Sequence, residues 1–298
     1  MPNPQFKLFD THAHFFTNDL KRYPADPTNA REGREAMLAR LQSDPATAER
    51  VLGLWDSCGV AGGAAVQYNT VYKTDNRYTV DVADAHHDRV SAVLILSAAA
   101  PDTPAQLRAL AGRHNVSGLR LFGYPDDAGD YPWLDSAAAL KTWDVAAAMR
   151  LSMILMYAPG KPSFAALRRI IALAKRYPDT VIALDHCGWP GVEGGIGGTI
   201  GAEHLELVEV PNVHFKFTQI NFNRFAETGI DPAEFVKRMA DTYGAGRLMW
   251  GSDFGNTKTT YAEMAEQAIA ATRLLEEADR HRVLHDNGAR LFGDRLKV

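Results

Sequence analysis

Cysteine is nearly absent. Two residues in 298, Cys58 and Cys187, can frame neither a disulfide scaffold nor a cysteine-based zinc site, and they point to a reduced, cytoplasmic setting. Long apolar runs are missing too. The longest pieces, such as Ser91–Leu96, have strand length and fall far short of the roughly 18 residues that a membrane span needs. There is no excess of charge of one sign: 32 Lys and Arg stand against 36 Asp and Glu, a net charge of −4. Without a basic stripe, a nucleic-acid partner is not expected, and a small molecule is the expected ligand. The opening MPNPQFKLFD lacks a basic segment followed by an apolar run, so it does not read as a secretory signal. Nothing in the sequence fixes the oligomeric state, and a homo-oligomer is left open.

What the chain does have is alternation. At 46% hydrophobic residues it can fill a full core, and short β-rich runs alternate eight times with helix-like stretches. The strands read as Lys7–His14, Ala64–Gln67, Ser91–Leu96, Ser117–Phe122, Ser152–Tyr157, Thr180–Asp185, Val213–Thr218 and Arg247–Trp250. Between them, spacing such as Leu167, Ile170, Ile171 and Ala174 is helical. The expected helices are Thr47–Cys58, Asn76–Asp88, one opened by Asp102, Thr103 and Pro104, Ser136–Met149, Phe164–Tyr177, Pro232–Tyr243 before Gly244, and Tyr261–Ala278, with a final segment His281–Phe292. Strands separated by helices imply right-handed βαβ units. Eight of them predict an α/β protein, a (β/α)₈ TIM barrel formed by residues 1–298 as one domain, with an open doubly wound sheet as the rival.

Chemistry-bearing residues gather at strand ends. Strand one finishes in Asp10-Thr11-His12-Ala13-His14. Alternation aims Asp10, His12 and His14 the same way, into the barrel near the C-terminal mouth where barrel enzymes work. Two such imidazoles can share one metal ion or polarise one oxygen. Strand six runs into Asp185-His186-Cys187-Gly188, and strand eight into Gly251-Ser252-Asp253. A carboxylate at that last position is costly unless paired or solvated. In a closed barrel strand eight adjoins strand one, which would set Asp253 beside His12 and His14. Alternation turns Cys187 away from His186. Lys216 on strand seven reads as deep or structurally paired, and His86, His87, His114 and His204 read as helix or loop surface. The segment Gly188–Gly198 is glycine-rich but does not match G-x-G-x-x-G, so no dinucleotide site is expected. It reads as a flexible loop or a lid.

These strand-end motifs, in this order, resemble the amidohydrolase superfamily and, within it, the amidohydrolase-related branch of pyrone-dicarboxylate lactonases and sugar lactonases. Gln67, Asp75-Asn76-Arg77-Tyr78, Gly118-Leu119-Arg120 and the tail Asn287–Phe292 support the likeness, which covers nearly the whole chain. The resemblance implies one divalent ion, zinc foremost, held by His12, His14 and Asp253, with His186 as a further candidate ligand. It also implies a departure. Strand five ends in Met156 and Tyr157 where the superfamily carries a histidine, and strand four offers Arg120, so a binuclear site is not expected and a metal-free lactonase is the alternative.

The expected activity is lactone hydrolysis. Asp253 acts as general base, and His12, His14 and His186 polarise the carbonyl or hold the metal. The acidic substrates of the branch imply Arg120 as a carboxylate clamp. Tyr157, Gln67, Tyr68 and Arg224 are the further substrate-binding candidates. Rival activities are a zinc-dependent decarboxylase or hydratase, a lactone isomerase, and a small-acid-binding barrel without turnover.

Overall fold

A computed structural model describes residues 6–30, 32–157 and 162–293. Eight parallel strands follow one another in chain order: β1 (Leu8–Ala13), β2 (Val60–Val66), β3 (Val90–Ile95), β4 (Val116–Gly123), β5 (Ser152–Tyr157), β6 (Ile182–Leu184), β7 (Val213–Phe217) and β8 (Leu248–Trp250). Helices connect them, as in a (β/α)₈ barrel. The closure from β8 back to β1 is made mostly beyond the regular strands. Asp253 N–H donates to His12 O (2.7 Å), His14 N–H donates to Phe254 O (3.1 Å), and Ala13 bridges Phe254.

Apolar side chains divide into two sets by strand parity. One set fills the barrel itself: Phe9, Ala64, Val66, Val93, Ile154, Ala183 and Met249, together with Phe292 from the last helix, Asn287–Phe292. Phe292 is fully buried and stops the N-terminal end of the barrel. The larger set lies between strands and helices. Helix Pro232–Tyr243 shows how the sequence builds that layer. Asp231 caps it by accepting from Ala233 N–H, Pro232 sits where no N–H is needed, and Gly244 ends it at φ 88°. Its buried face carries Phe235, Val236, Met239 and Tyr243.

The differences from the sequence reading have local causes. β2 begins at Val60 rather than Ala64, because Gly62 and Gly63 conceal its start. Any Cβ on Gly63 would meet Asp10 O and the Trp55 ring, so the glycine marks a close approach rather than a turn. The expected helix Tyr261–Ala278 breaks after Ala271 and resumes as Glu277–His281. Helices Arg34–Ser43 and Gln219–Thr228 come in addition to those the sequence predicts. Asp102 precedes the helix Thr103–Arg113 without a side-chain cap bond.

Asp10 does not face the barrel interior. The register of β1 is irregular between Asp10 and Ala13, which breaks the alternation. Its buried carboxylate accepts from Ser252 N–H (2.8 Å), Ser252 Oγ (2.6 Å), Tyr261 OH (2.8 Å) and His12 N–H (3.0 Å). Burial pushes its pKa up, and these hydrogen bonds oppose that rise. A single carboxylate therefore clasps the first strand to the segment after the last. Gly251 lets the two strands meet: a Cβ there would lie 2.5 Å from His12 Cβ and 3.1 Å from His12 N. Gly251→Ala is expected to cost about 1–3 kcal/mol of stability by overpacking, read as a lower midpoint in denaturant unfolding with an unchanged slope.

Candidate active site

The seam brings together what the sequence scatters. His12 and His14 leave the end of β1 and Asp253 follows β8 at φ 57°, a conformation a non-glycine residue adopts at a cost. Asp253 Oδ1 stands 3.5 Å from His12 Nε2 and 3.3 Å from His14 Nε2. One ligand atom from each of the three buried residues lies within 4.8 Å of the others. Asn256 Nδ2 donates to the second carboxylate oxygen (3.0 Å).

The partners of the other ring nitrogens settle which atoms face inward. His14 Nδ1 meets Val66 O (2.9 Å), which can only accept, so that nitrogen carries the proton. His12 Nδ1 meets Asp185 Oδ1 (3.1 Å). Burial would raise the pKa of Asp185, but His12, Arg120 and Lys216 outweigh it and hold the carboxyl well below the usual range. His12 Nδ1 is therefore the donor. Burial, opposed by Asp185, pushes the pKa of His12 down to about 3, which leaves Nε2 as a bare lone pair. That atom is buried and has no hydrogen-bond partner among the described residues. A lone pair turned toward a carboxylate with no proton between them is the donor set of a cation site. The three residues thus fit a divalent ion.

The sequence marks Asp185 only as the neighbour of His186, yet it is the hub beneath the site. Besides His12 it accepts from Arg120 Nε (2.7 Å) and lies 3.6 Å from Lys216 Nζ. Lys216 is fully buried, donates to Thr11 O (2.9 Å) and stands over the Phe292 ring. Burial pushes its pKa down to about 8. The available signal was parity: Ala183 faces the barrel interior, so Asp185, two residues on, does as well.

His186 is set by an unusual backbone. Residues His186, Cys187, Gly188 and Trp189 all take positive φ, between 53° and 67°, a single left-handed turn costing roughly 1–2 kcal/mol for each non-glycine residue. Clamps hold it. Asn221 Nδ2 donates to His186 O (2.9 Å), and Tyr157 OH donates to Gly188 O (2.9 Å). His204 Nε2 lies 2.9 Å from Gly188 O. His204 is thus buried rather than on the surface. His186 Nδ1 pairs with Thr218 Oγ1 (2.7 Å), and burial lowers its pKa. It stands outside the three-residue cluster, with its ring centroid 5.8 Å from that of His12. Cys187 is buried in the outer layer, where burial pushes its thiol pKa up.

A cavity of about 740 Å³ opens over the cluster. His14, Arg120, His186, Tyr68, Trp189 and Lys73 are among its lining residues. Tyr68 stacks on the His14 ring with centroids 4.5 Å apart. The other substrate-binding candidates are engaged elsewhere. Tyr157 OH goes to Gly188, and Gln67 is consumed by Thr79 Oγ1 and the carbonyls of Lys73 and Asp75. Arg224 donates to Pro190 O and lies over the Trp189 ring, steadying the start of the glycine-rich segment. Trp250 packs in the outer layer against Tyr261. No helix among the described residues is long and apolar enough to cross a membrane.

Known proteins share this architecture. A candidate 2-pyrone-4,6-dicarboxylic acid hydrolase from Pseudomonas putida is 22% identical, with a TM-score of 0.72 over 98% of this chain and 99% of that one. An amidohydrolase from Burkholderia multivorans with bound zinc is 19% identical, with a TM-score of 0.71 over 96% and 99%. In sequence, the L-fucono-1,5-lactonase of Burkholderia ambifaria is 29% identical over 185 residues, which are 60% of this chain and 60% of that protein. The matched region thus spans less than two thirds of that relative. The profile of the amidohydrolase family matches residues 9–293. That match begins inside β1 and ends with the last described residue, so the chain belongs to the amidohydrolase family.

Proposed function

We propose that the protein hydrolyses the lactone of a small, carboxylated sugar- or aromatic-derived acid, with a divalent ion, zinc foremost, held by His12, His14 and Asp253. The observation that carries this reading is the buried Nε2 of His12, unpartnered among the described residues and facing the same Asp253 oxygen as His14 beneath an open cavity. The likeness to the fucono-lactonase supports the reaction class. A decarboxylase of the superfamily would be expected to carry a histidine where β5 ends in Met156 and Tyr157.

When bound, the ion supplies Lewis-acid polarisation of the carbonyl and lowers the pKa of a water to about 7. The chain supplies the rest. Asp253 takes the proton of the attacking water as its oxygen bonds to the lactone carbonyl carbon. The ring C–O bond then breaks, and Asp253 returns the proton to the departing alkoxide, giving the open hydroxy acid. Asn256 holds the carboxylate through its second oxygen for both transfers. His186, with Nδ1 tied to Thr218, keeps its second nitrogen for the oxygen that gains charge. Arg120 is held through Nε by Asp185 and leaves its terminal nitrogens for a substrate oxygen.

Asp253→Asn is expected to lower kcat by about 10²–10⁴-fold while the melting temperature stays near that of the wild type; near-normal turnover would remove Asp253 from the base role. Dialysis against a chelator should abolish lactone opening, and added zinc should restore it, with metal content followed by emission spectroscopy. Full activity in metal-free protein would leave the histidines as the sole polarising groups. Asp185→Leu should unlock the His12 tautomer, visible as a changed pair of ring ¹⁵N shifts in the metal-free protein, and should weaken zinc affinity about 10–100-fold.

A further inference from the structure

The cations at the cavity are unequally committed. Arg120 is bound to Asp185, and Lys216 is buried out of reach below. Lys73 also lines the cavity. Among the described residues it has no carboxylate within ion-pair distance, and its Nζ donates only weakly to Thr70 O (3.3 Å).

Its backbone is the second observation. Lys73 sits at φ 50°, ψ −116°, the conformation of the first central residue of a type II′ turn, which glycine ordinarily fills. Asp75 N–H donates to Tyr72 O (2.8 Å) and closes the four-residue turn. Gln67, at the end of β2, holds the turn from behind: its Nε2 donates to Lys73 O (3.1 Å) and to Asp75 O (2.8 Å), while Thr79 Oγ1 donates to its Oε1 (2.5 Å). A buried amide with both N–H groups and its oxygen engaged thus stabilises a turn made unfavourable by the residue at its corner. Strain retained at a ligand cavity marks a side chain whose position matters. Asp26 and Asn29 also line the cavity. Asn29 is again at positive φ (56°), and Asp26, whose carboxyl pKa is held down mainly by hydrogen bonds from Thr28 and slightly by the Lys73 charge, stays beyond ion-pair distance of the ammonium.

We propose that Lys73 is a specificity-determining residue, the anchor for a carboxylate that the substrate carries away from its reacting carbonyl, presented by a strained turn that Gln67 clamps. This deepens the lactonase reading and rests on it for the reaction, though not for the binding. The chain offers a flexible point charge here rather than a planar fork, which suits an anion whose orientation varies. Gln67 is accordingly a positioning residue.

The test compares D-glucaro-1,4-lactone, which bears a carboxylate, with neutral D-glucono-1,5-lactone, in wild type, Lys73→Met, Lys73→Arg and Lys73→Gly. Binding of glucarate and of neutral D-glucitol is measured alongside by calorimetry. Losing one charge-assisted contact should raise KM for the glucarolactone, and the Kd for glucarate, about 10–100-fold more than the neutral partner's in Lys73→Met. Lys73→Arg should retain most of the preference. Lys73→Gly should lose it while melting no lower than wild type, since glycine takes this φ without strain. Equal losses for charged and neutral ligands, or unchanged glucarate binding in Lys73→Met, would overturn the anchor. A wild type that opens neither lactone would count against the lactonase reading, and glucarate binding then decides the anchor by itself.

Discussion

The carboxylate of Asp10 joins the two ends of the barrel, and the site exists only because they are joined. β8 and β1 share few regular ladder bonds, so ring closure depends on what replaces them. One side chain does much of this, accepting from two backbone amides and two hydroxyls across 242 positions of sequence separation to Ser252 and 251 to Tyr261. A buried carboxylate is tolerable when its lone pairs are satisfied by fixed donors. Here the donors come from β1, from the segment after β8 and from the helix beginning at Tyr261. Satisfying Asp10 therefore fixes the distance between His12 and Asp253.

A second buried carboxylate, Asp185, sets the chemistry rather than the geometry of the ring. Its neighbours are cationic or proton-donating on several sides, which keeps it ionised in a region where burial alone would neutralise it. That charge orients one imidazole, immobilises one guanidinium and gives the Lys216 ammonium a counter-charge. Removing one member of such a network leaves the others desolvated and unbalanced, so its members act as a unit.

Much of this was legible from the chain. Strand ends betray themselves through apolar runs that stop at a polar residue, which is how His12, His14, His186 and Asp253 were found. The clustering of His12, His14 and Asp253 follows from ring closure. Other features were illegible for physical reasons. The side Asp10 faces depends on a register irregularity, which alternation cannot carry. The burial of His204 depends on a left-handed turn sixteen residues earlier, and two of the three non-glycine residues in that turn, Cys187 and Trp189, have no special preference for positive φ. Tyr157 and Gln67 sit at strand ends as expected, but their polar atoms answer to backbone carbonyls of neighbouring loops, a demand no spacing rule encodes.

Phe292 has a consequence for traffic. With that ring filling the bottom of the barrel against Phe9, the described residues close that end, and the cavity over the cluster lies at the other. Under the proposed lactone opening, the open-chain acid leaves through the mouth that admitted the ester, carrying one more negative charge than the ester did. A mouth that attracts anions too strongly would delay that departure, so the cationic side chains around it are under two opposing demands, capture and release.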